Sequence, residues 1–368
     1  MTGKLMIPGP VPVSEDVLRE MGAPVQAHYG AAWTAIYNET VELLKEVFKT
    51  QGDVHILVGS GTAGNDAAMG SMTNPGEKVI VGRNGFFGER MGHIARLYAL
   101  EVVDVEAPLG QPLDPASLAR AMDQHPDAVA VAVVHMETST TIVNPVREIC
   151  EEASKRGIPV VVDAVSSLGG IPLDMDGWHI DICVGASQKC LGAPPGLAPV
   201  AVSKRAWQIM KSKPNRGHGL YLNLETWQQF AEDWAEWHPF PVTMATNNVL
   251  ALRAGVRELL EEGMEATMEQ YRRLALRLRE GVRRLGMEPY TPDEHLCPVA
   301  TAIYGPEGVP TGEIVNFLFK KHHIKIAGGL GKGLADRIFR VGHMGMKVNE
   351  QDIDDVLRAL SEFKSIRY

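Results

Sequence analysis

Between residues 34 and 205 the sequence alternates regularly between short apolar runs and amphipathic segments with helical spacing. The apolar runs are rich in Val, Ile and Ala, as in "AVAVAVVH" at 128–135 and "IPVVVDA" at 158–164. Strands that are apolar on both faces are typical of parallel sheets covered by helices on both sides. The alternation therefore predicts an α/β fold with a buried, mostly parallel sheet in this part of the chain.

The pattern changes after residue 244. Two long helices are predicted at 245–262 and 265–285, and shorter strands and helices are mixed after them, with helices at 311–322 and 349–363. This predicts a smaller α+β domain at the C-terminus. The predicted division is an N-terminal segment at 1–20 that joins the small domain or a dimer interface, a large domain at 21–250 and a small domain at 251–368.

The charge, the cysteines and the apolar runs of the sequence indicate which partners and which cell compartment to expect. The 368 residues carry a net charge of -9, which argues against a nucleic-acid partner, since such a partner calls for a basic face. The four cysteines are scattered without a C-x-x-C pair, which indicates reduced thiols. The first residues, "MTGKLMIPGP", lack the apolar core of a signal peptide, and no apolar run is long enough to span a membrane. We therefore expect a cytoplasmic protein with small-molecule partners and no membrane association.

The segment "GSGTAG" at 59–64 lies between a predicted strand and a predicted helix. Glycines in such a turn expose backbone N–H groups at a helix N-terminus, where phosphate binds. Taken literally, G-x-G-x-x-G is also the dinucleotide fingerprint. The next strand, however, ends in Gly82-Arg83-Asn84, where NAD would require an acidic residue, although Arg83 could serve NADP. An NADP-dependent oxidoreductase therefore stays open at this point.

Two ionisable residues follow apolar strands further along the chain. Asp163 ends "PVVVD", at the edge of the sheet where α/β proteins bind ligands, and Lys189 follows "ICVGASQ". Pyridoxal 5'-phosphate requires such a pair, because its aldehyde forms a Schiff base with a lysine and its ring nitrogen needs an acidic partner. Its phosphate would then bind at Ser60-Gly61-Thr62. A structural salt bridge between Asp163 and Lys189 is the alternative.

Several motifs extend this interpretation to nearly the whole chain. "GSGTAGNDAA", "NGFFGER", "HMETSTT", "VVVDAVSSLGG", "GASQKCLGAPPG" and "IAGGLG…RVGHMG" occur in this order. The sequence resembles the class V pyridoxal-phosphate-dependent aminotransferases, most of all the alanine–glyoxylate and serine–pyruvate (serine–glyoxylate) group. The resemblance implies fold-type I architecture, with a seven-stranded, mostly parallel sheet between helices. It also implies a homodimer with shared active sites.

The resemblance assigns roles around the cofactor. Lys189 would form the Schiff base and carry the proton, and Asp163 would pair with the pyridine nitrogen. Val165 and Phe87 would cover the two ring faces, although Phe87 could instead be plain core. Thr138 would bond the phenolic oxygen. The phosphate would bind Ser60, Gly61, Thr62, Gln188 and, from the neighbouring subunit, Thr243, near which Phe240 replaces a Tyr found in several relatives.

For the substrate, the resemblance implies that Arg340 clamps the α-carboxylate, with Gly329 in the same pocket and His28 as a specificity candidate. No metal site is predicted, since His322 and His323 have no third ligand nearby. The expected reaction is ping-pong transamination between a small L-amino acid, such as alanine or serine, and a 2-oxoacid such as glyoxylate or pyruvate.

Alternatives stay open on the same scaffold. The donor could be (S)-ureidoglycine or aspartate, and Asn247 and Asn248 could bond a ureido or amide group or only cap a helix. A cysteine desulfurase is less favoured, because Gln188 rather than His precedes the lysine and Cys297 borders a strand. A non-enzymatic binding protein would not need both Asp163 and Lys189.

Overall fold

The computed structural model describes residues 3–213 and 219–367, and these ranges contain fourteen strands. Seven of the ten strands before residue 203 follow the predicted apolar runs closely, and the three others, each of two residues, were not predicted. The strands are β1 (Lys4–Leu5), β2 (Asp53–Val58), β3 (Lys78–Arg83), β4 (Glu101–Glu106), β5 (Ala128–Val134), β6 (Met136–Glu137), β7 (Ile142–Val143), β8 (Val160–Asp163), β9 (Ile182–Val184), β10 (Leu197–Val202), β11 (Ala300–Tyr304), β12 (Ile324–Lys325), β13 (Ala327–Gly328) and β14 (Ile338–Gly342).

Twelve α-helices lie in the same ranges, and the predicted helices agree with them to within about four residues at each end. No helix in the described ranges combines the length and the apolar composition that a bilayer span requires. Helices α1, α7 and α8 are additional to the predicted elements. The helices are α1 (Glu15–Met21), α2 (Ala31–Phe48), α3 (Gly61–Met72), α4 (Phe86–Leu97), α5 (Pro115–Gln124), α6 (Val146–Lys155), α7 (Lys204–Ser212), α8 (Leu224–Asp233), α9 (Thr246–Glu262), α10 (Met264–Arg284), α11 (Thr311–His322) and α12 (Glu350–Arg367).

Seven strands form the central sheet, in the order β2-β10-β9-β8-β5-β3-β4. Strand β10 is antiparallel to both of its neighbours, and the other neighbouring pairs are parallel. This confirms the predicted mostly parallel, seven-stranded sheet. Because β8 is the fourth strand of seven, its last residue, Asp163, lies at the middle of the edge formed by the carboxyl ends of the parallel strands.

Helix α3 packs directly on this sheet because of one small residue. A Cβ atom at Gly64 would lie 2.5 Å from Cγ1 of Val184 on β9, so any larger side chain would push the helix outward. The helix begins three residues after β2 ends. Its N-terminus therefore opens at the same sheet edge as Asp163.

A second, smaller core contains the antiparallel sheet β11-β14-β13 and packs α10, α11 and α12 around it. The N-terminal strand β1 pairs with β12, with Lys4 opposite Ile324, and Met6 is buried within this second core. These contacts support the proposal that the N-terminal segment at 1–20 joins the small domain. The further division, into a large domain at 21–250 and a small domain at 251–368, stays a proposal; its boundary falls within α9, where the buried Val256 and Leu259 belong to the larger core.

Candidate functional site

A cavity of about 210 Å³ lies at the carboxyl edge of the central sheet. It collects residues that are far apart in the sequence but that all follow strands or begin helices at this edge. A larger cavity, of about 700 Å³, lies near the amino ends of the strands and contains none of the predicted site residues. The smaller cavity is lined by Ser60, Gly61, Thr62, Asn65, Phe87, Arg90, Asp163, Val165, Ser166, Gln188 and Lys189.

The Asp163 carboxylate is buried at the end of β8. It accepts hydrogen bonds from the backbone N–H of Val165 at 2.9 Å and from Nδ2 of Asn65 at 2.7 Å. Burial raises the pKa of Asp163, and these two donors, with the nearby charges of Lys189 and Arg90, oppose that rise. The carboxylate is thus held in place by two fixed donors at the bottom of the cavity.

The Lys189 side chain is only 9% exposed, and its Nζ donates a hydrogen bond to the carbonyl oxygen of Pro8. Burial lowers the pKa of Lys189 to about 8; Cys190 and Asp163 oppose this shift and Arg340 adds to it. A Cβ atom at Gly9 would lie 2.4 Å from Cδ of Lys189, so only glycine leaves room for the lysine chain. The N-terminal segment therefore forms one wall around the amine.

The N-terminus of α3 forms the predicted phosphate-binding turn. Ser60 is the N-cap residue, and its side chain makes no capping hydrogen bond. A Cβ atom at Gly61 would lie 2.4 Å from Cγ2 of Val165, so glycine allows the turn to approach the residue that flanks Asp163. Across the cavity, Oε1 of Gln188 is buried and has no hydrogen-bond partner within the described part of the chain. Backbone N–H groups in the first turn of a helix have no intrahelical acceptor and can bind an anion.

Phe87 lies in the first turn of α4, on the wall of the cavity, and its backbone is held by the buried carboxylate of Glu137. Glu137 accepts hydrogen bonds from the backbone N–H groups of Phe87, at 2.9 Å, and Gly88, at 3.0 Å. The same side chain accepts from the backbone N–H of Ser139 at 2.9 Å. An acidic group at a helix N-terminus interacts favourably with the helix dipole. Glu137 thus connects the backbone of Phe87 to the segment that contains Thr138.

Thr138 and Arg340 form a second layer next to the cavity. The Thr138 hydroxyl donates to Oγ of Ser166 at 2.6 Å. Arg340, on β14, donates from Nη1 to the Thr138 carbonyl and from Nε to the Gly328 carbonyl, both at 3.0 Å. Burial lowers the pKa of Arg340 to about 10, and the charge of Glu137 opposes this shift. The guanidinium therefore stays charged at neutral pH, with its orientation fixed by two carbonyl groups.

The structure places the other predicted residues around or away from this cavity. Gly329 follows Gly328, whose carbonyl accepts from Arg340. A Cβ atom at Gly329 would lie 1.9 Å from the Leu334 carbonyl oxygen. Thr243 is exposed and does not line the cavity of its own chain. His28 also lies outside the cavity, with its Nδ1 3.0 Å from Nε2 of His238.

The two asparagines considered for a ureido group have structural partners. Nδ2 of Asn247 donates to the backbone carbonyls of Met21, at 3.0 Å, and Ala23, at 2.6 Å. Nδ2 of Asn248 donates to the carbonyl of Pro195 at 3.0 Å. These bonds connect the start of α9 to neighbouring loops. They account for both amide groups without a ligand.

Three residues that line the cavity were not predicted: Asn65, Arg90 and Ser166. Asn65 lies four residues after Gly61 in α3, and Arg90 lies three residues after Phe87 in α4. Residues at these spacings share a helix face, so the sequence carried a signal for both. Ser166, next after Val165, could have been found in the same way.

The residues of the cavity fit pyridoxal phosphate. The cofactor requires an amine, a carboxylate for its ring nitrogen, surfaces for its two ring faces and donors for its phosphate. Lys189 and Asp163 would supply the first two, and Phe87 and Val165 would cover the ring. The unpartnered Gln188 amide and the first turn of α3 would hold the phosphate.

Comparison with known proteins agrees with this fit. The family Aminotransferase class-V matches residues 14–356. An uncharacterized aminotransferase of Methanocaldococcus jannaschii is 38% identical across 93% of this chain and 88% of its own length. The (S)-ureidoglycine–glyoxylate transaminase of Bacillus subtilis is 32% identical across 97% of this chain and 89% of its own length. The structure of an alanine–glyoxylate aminotransferase from Nostoc sp. superposes with a TM-score of 0.94 at 29% identity, covering 98% of this chain and 95% of that one.

Replacing the buried lysine should stabilise the cofactor-free protein. The pKa of Lys189 is about 8 in the folded protein and 10.5 ordinarily, so the folded state binds fewer protons between these values. Stability of the wild type therefore rises with pH in this window. We expect Lys189→Met to be more stable below about pH 8, by roughly 3 kcal/mol, because a tenfold difference in proton affinity corresponds to about 1.4 kcal/mol. The difference should shrink as the pH rises toward 10.5.

Denaturant unfolding of both proteins at several pH values measures this difference. Lys211→Met is the matched control, because the Lys211 side chain is 60% exposed. A difference between Lys189→Met and wild type that is the same at every pH would contradict the prediction.

Proposed function

The chain belongs to the class V aminotransferases, which depend on pyridoxal phosphate, and we propose that it transfers the amino group of a small L-amino acid, such as alanine or serine, to a 2-oxoacid such as glyoxylate or pyruvate. The observation that carries the proposal is the burial of Lys189 and Asp163 in one cavity with the N-terminus of α3. Two of the similar proteins are named for glyoxylate, which supports it as the acceptor.

When bound, the cofactor supplies an electron sink for the negative charge that develops at the substrate Cα. Asp163 would keep the ring nitrogen protonated, since its carboxylate is fixed by Val165 and Asn65. Lys189 would take the proton from Cα of the substrate and deliver it to C4' of the cofactor. A pKa of about 8 leaves part of its amine neutral near neutral pH, as a base requires.

Arg340 would bind the α-carboxylate that the amino acid and the oxoacid share. No ion pair to Arg340 is present among the described residues, so its charge is available to a ligand. The carbonyls of Gly328 and Thr138 fix the plane of the guanidinium. A planar fork that is fixed in this way binds a carboxylate bidentately and orients the Cα–H bond toward Lys189.

We further propose a cytoplasmic homodimer in which Thr243 reaches the partner's cavity. Three large aromatic residues form an exposed patch, and two of them lie within ten residues of Thr243 in the sequence: Tyr29, Trp234 and Trp237 are 50%, 48% and 49% exposed. The ring centroids of Trp237 lie 5.4 Å from Tyr29 and 5.5 Å from Trp234. Exposed aromatic patches are typical of protein interfaces. The buried free cysteines support a reducing compartment.

The function is tested first by visible absorbance. The purified protein with pyridoxal phosphate should show a visible band that changes when one amino acid is added alone and returns when glyoxylate or pyruvate follows. Alanine and serine are the expected donors. The variant Lys189→Ala should fold but fail to complete repeated cycles. Absence of a cofactor band in the wild type, or near-normal turnover by Lys189→Ala, would contradict the assignment.

Arg340→Ala should raise the KM for the amino acid and for the oxoacid, because both lose the same carboxylate contact. A charge-assisted hydrogen bond is worth about 1.5–3 kcal/mol, which corresponds to roughly 10- to 150-fold in KM. Arg340→Lys should fall between the alanine variant and the wild type, since it keeps the charge without the fork. Steady-state kinetics measures these values. Arg337→Ala, at an exposed arginine just before the same strand, is the control; an unchanged KM in Arg340→Ala would remove Arg340 from the substrate site.

Trp237→Glu should weaken the homodimer, because it places a charge in the centre of the aromatic patch. Analytical ultracentrifugation should show a dimer for the wild type and a shift toward monomer for the variant. Leu97→Glu, at an exposed leucine that is 70% accessible at the end of α4, is the control for added charge. A monomeric wild type would overturn the proposed assembly.

A further inference from the structure

Arg90 is a cation of the cavity wall that the proposed transamination steps do not use. It lies on α4, three residues after Phe87, and its side chain is half-buried. Its guanidinium carbon lies 4.9 Å from the centroid of the Phe87 ring and 5.0 Å from that of Phe86. Nη1 donates to the hydroxyl of Thr62 at 3.2 Å. Arg90 thus connects the ring wall of the cavity to the first turn of α3.

The charge of Arg90 has no ion-pair partner within residues 3–213 and 219–367, unlike the charges of its neighbours. On the same helix, Arg96 pairs with Asp104, and Glu89 lies 4.0 Å from Arg83. Asp163 is close enough to feel the charge of Arg90, but the two side chains form no salt bridge. A partly desolvated guanidinium without a carboxylate partner is suited to bind an anionic ligand.

The position of Arg90 indicates which anion this would be. Its hydrogen-bond partner, Thr62, belongs to the first turn of α3, and the first turn of a helix is where backbone N–H groups can bind an anion. The cavity's other cation, Lys189, donates to the Pro8 carbonyl. Arg90 is therefore the arginine that faces the phosphate end of the cavity, while Arg340 contacts Thr138 from the substrate side.

We propose that Arg90 is a ligand of the cofactor's phosphate and supplies most of the positive charge that this dianion meets. Thr62 positions the guanidinium through its hydroxyl, and the Phe87 ring supports it from one side. This inference rests on the proposed placement of pyridoxal phosphate at the N-terminus of α3. The alternative is that Arg90 acts only on Asp163 and on the aromatic wall, and so on the ring of the cofactor.

Paired ligands with and without phosphate separate these two roles. Pyridoxamine 5'-phosphate and pyridoxamine share a ring and differ in the phosphate, and both have an amine in place of the aldehyde. Their dissociation constants are measured by fluorescence or calorimetry on the cofactor-free full-length chain. The variants are Arg90→Gln, which removes the charge, and Arg90→Lys, which keeps it. Arg96→Gln on the same helix is the matched control, because Arg96 pairs with Asp104 at the surface.

We expect Arg90→Gln to weaken binding of pyridoxamine 5'-phosphate by at least about tenfold, and binding of pyridoxamine by less than about threefold. Arg90→Lys should recover part of the loss, and Arg96→Gln should bind both ligands as the wild type does. Inorganic phosphate should compete with pyridoxamine 5'-phosphate less effectively in Arg90→Gln than in the wild type.

Three other results would overturn the inference. An equal loss for both ligands in Arg90→Gln would assign Arg90 to the ring, and no loss for either would remove it from the site. If the wild type itself bound both ligands equally, the placement of the phosphate at α3 would fail, and the inference with it. Since that last result concerns the wild type alone, failure of the cofactor placement is distinguished from failure of the Arg90 assignment.

Discussion

The Asp163 carboxylate ends an apolar strand in the middle of the sheet, where burial would make its charge costly without fixed donors. The donors are the backbone N–H of Val165 and the amide of Asn65. Because Asn65 belongs to α3, the helix that brings its N-terminus to the cavity also holds the carboxylate in place. The helix reaches both positions because Gly61 and Gly64 leave no side chain between it and the residues beneath it. The proposed cofactor cavity thus follows from a close approach between one helix and the sheet.

The N-terminal segment links the second core to Lys189. Met6 is buried in that core, and its carbonyl oxygen accepts from the backbone N–H of Gly342 at 2.9 Å. A few residues later the Pro8 carbonyl accepts from Lys189, and the backbone N–H of Val11 donates to the Gln188 carbonyl at 3.1 Å. A displacement of the C-terminal core would therefore carry the acceptor of the lysine amine with it. This connection gives the residues before α1 a direct influence on the site.

The sheet could be predicted from the sequence because strands that are apolar on both faces leave few other arrangements. Asp163 and Lys189 could be found because each follows such a strand, at the edge where ligands bind. The contact between Pro8 and Lys189 could not be found, since it joins residues 181 positions apart through a loop without periodicity. The role of Glu137 was hidden for a similar reason: its partners, Phe87 and Gly88, lie about fifty positions earlier. Contributions from a second subunit, as expected for Thr243, depend on a contact that one chain does not contain.

The two arginines that we propose as anion ligands, Arg340 and Arg90, differ in burial, and the difference matches what each proposed anion requires. Arg340 is 7% exposed, and two carbonyl groups fix the plane of its guanidinium. Burial lowers the pKa of Arg340 to about 10, so keeping the guanidinium charged at this position opposes folding. A substrate carboxylate binds anew in each half-reaction, and the substrate must present its Cα–H bond in one direction. A guanidinium of fixed orientation provides this, although its burial opposes folding. A phosphate is surrounded by helix N–H groups and hydroxyls, and its orientation does not depend on any single donor. A half-buried Arg90 with one hydroxyl contact is therefore sufficient at that end, where charge matters more than angle.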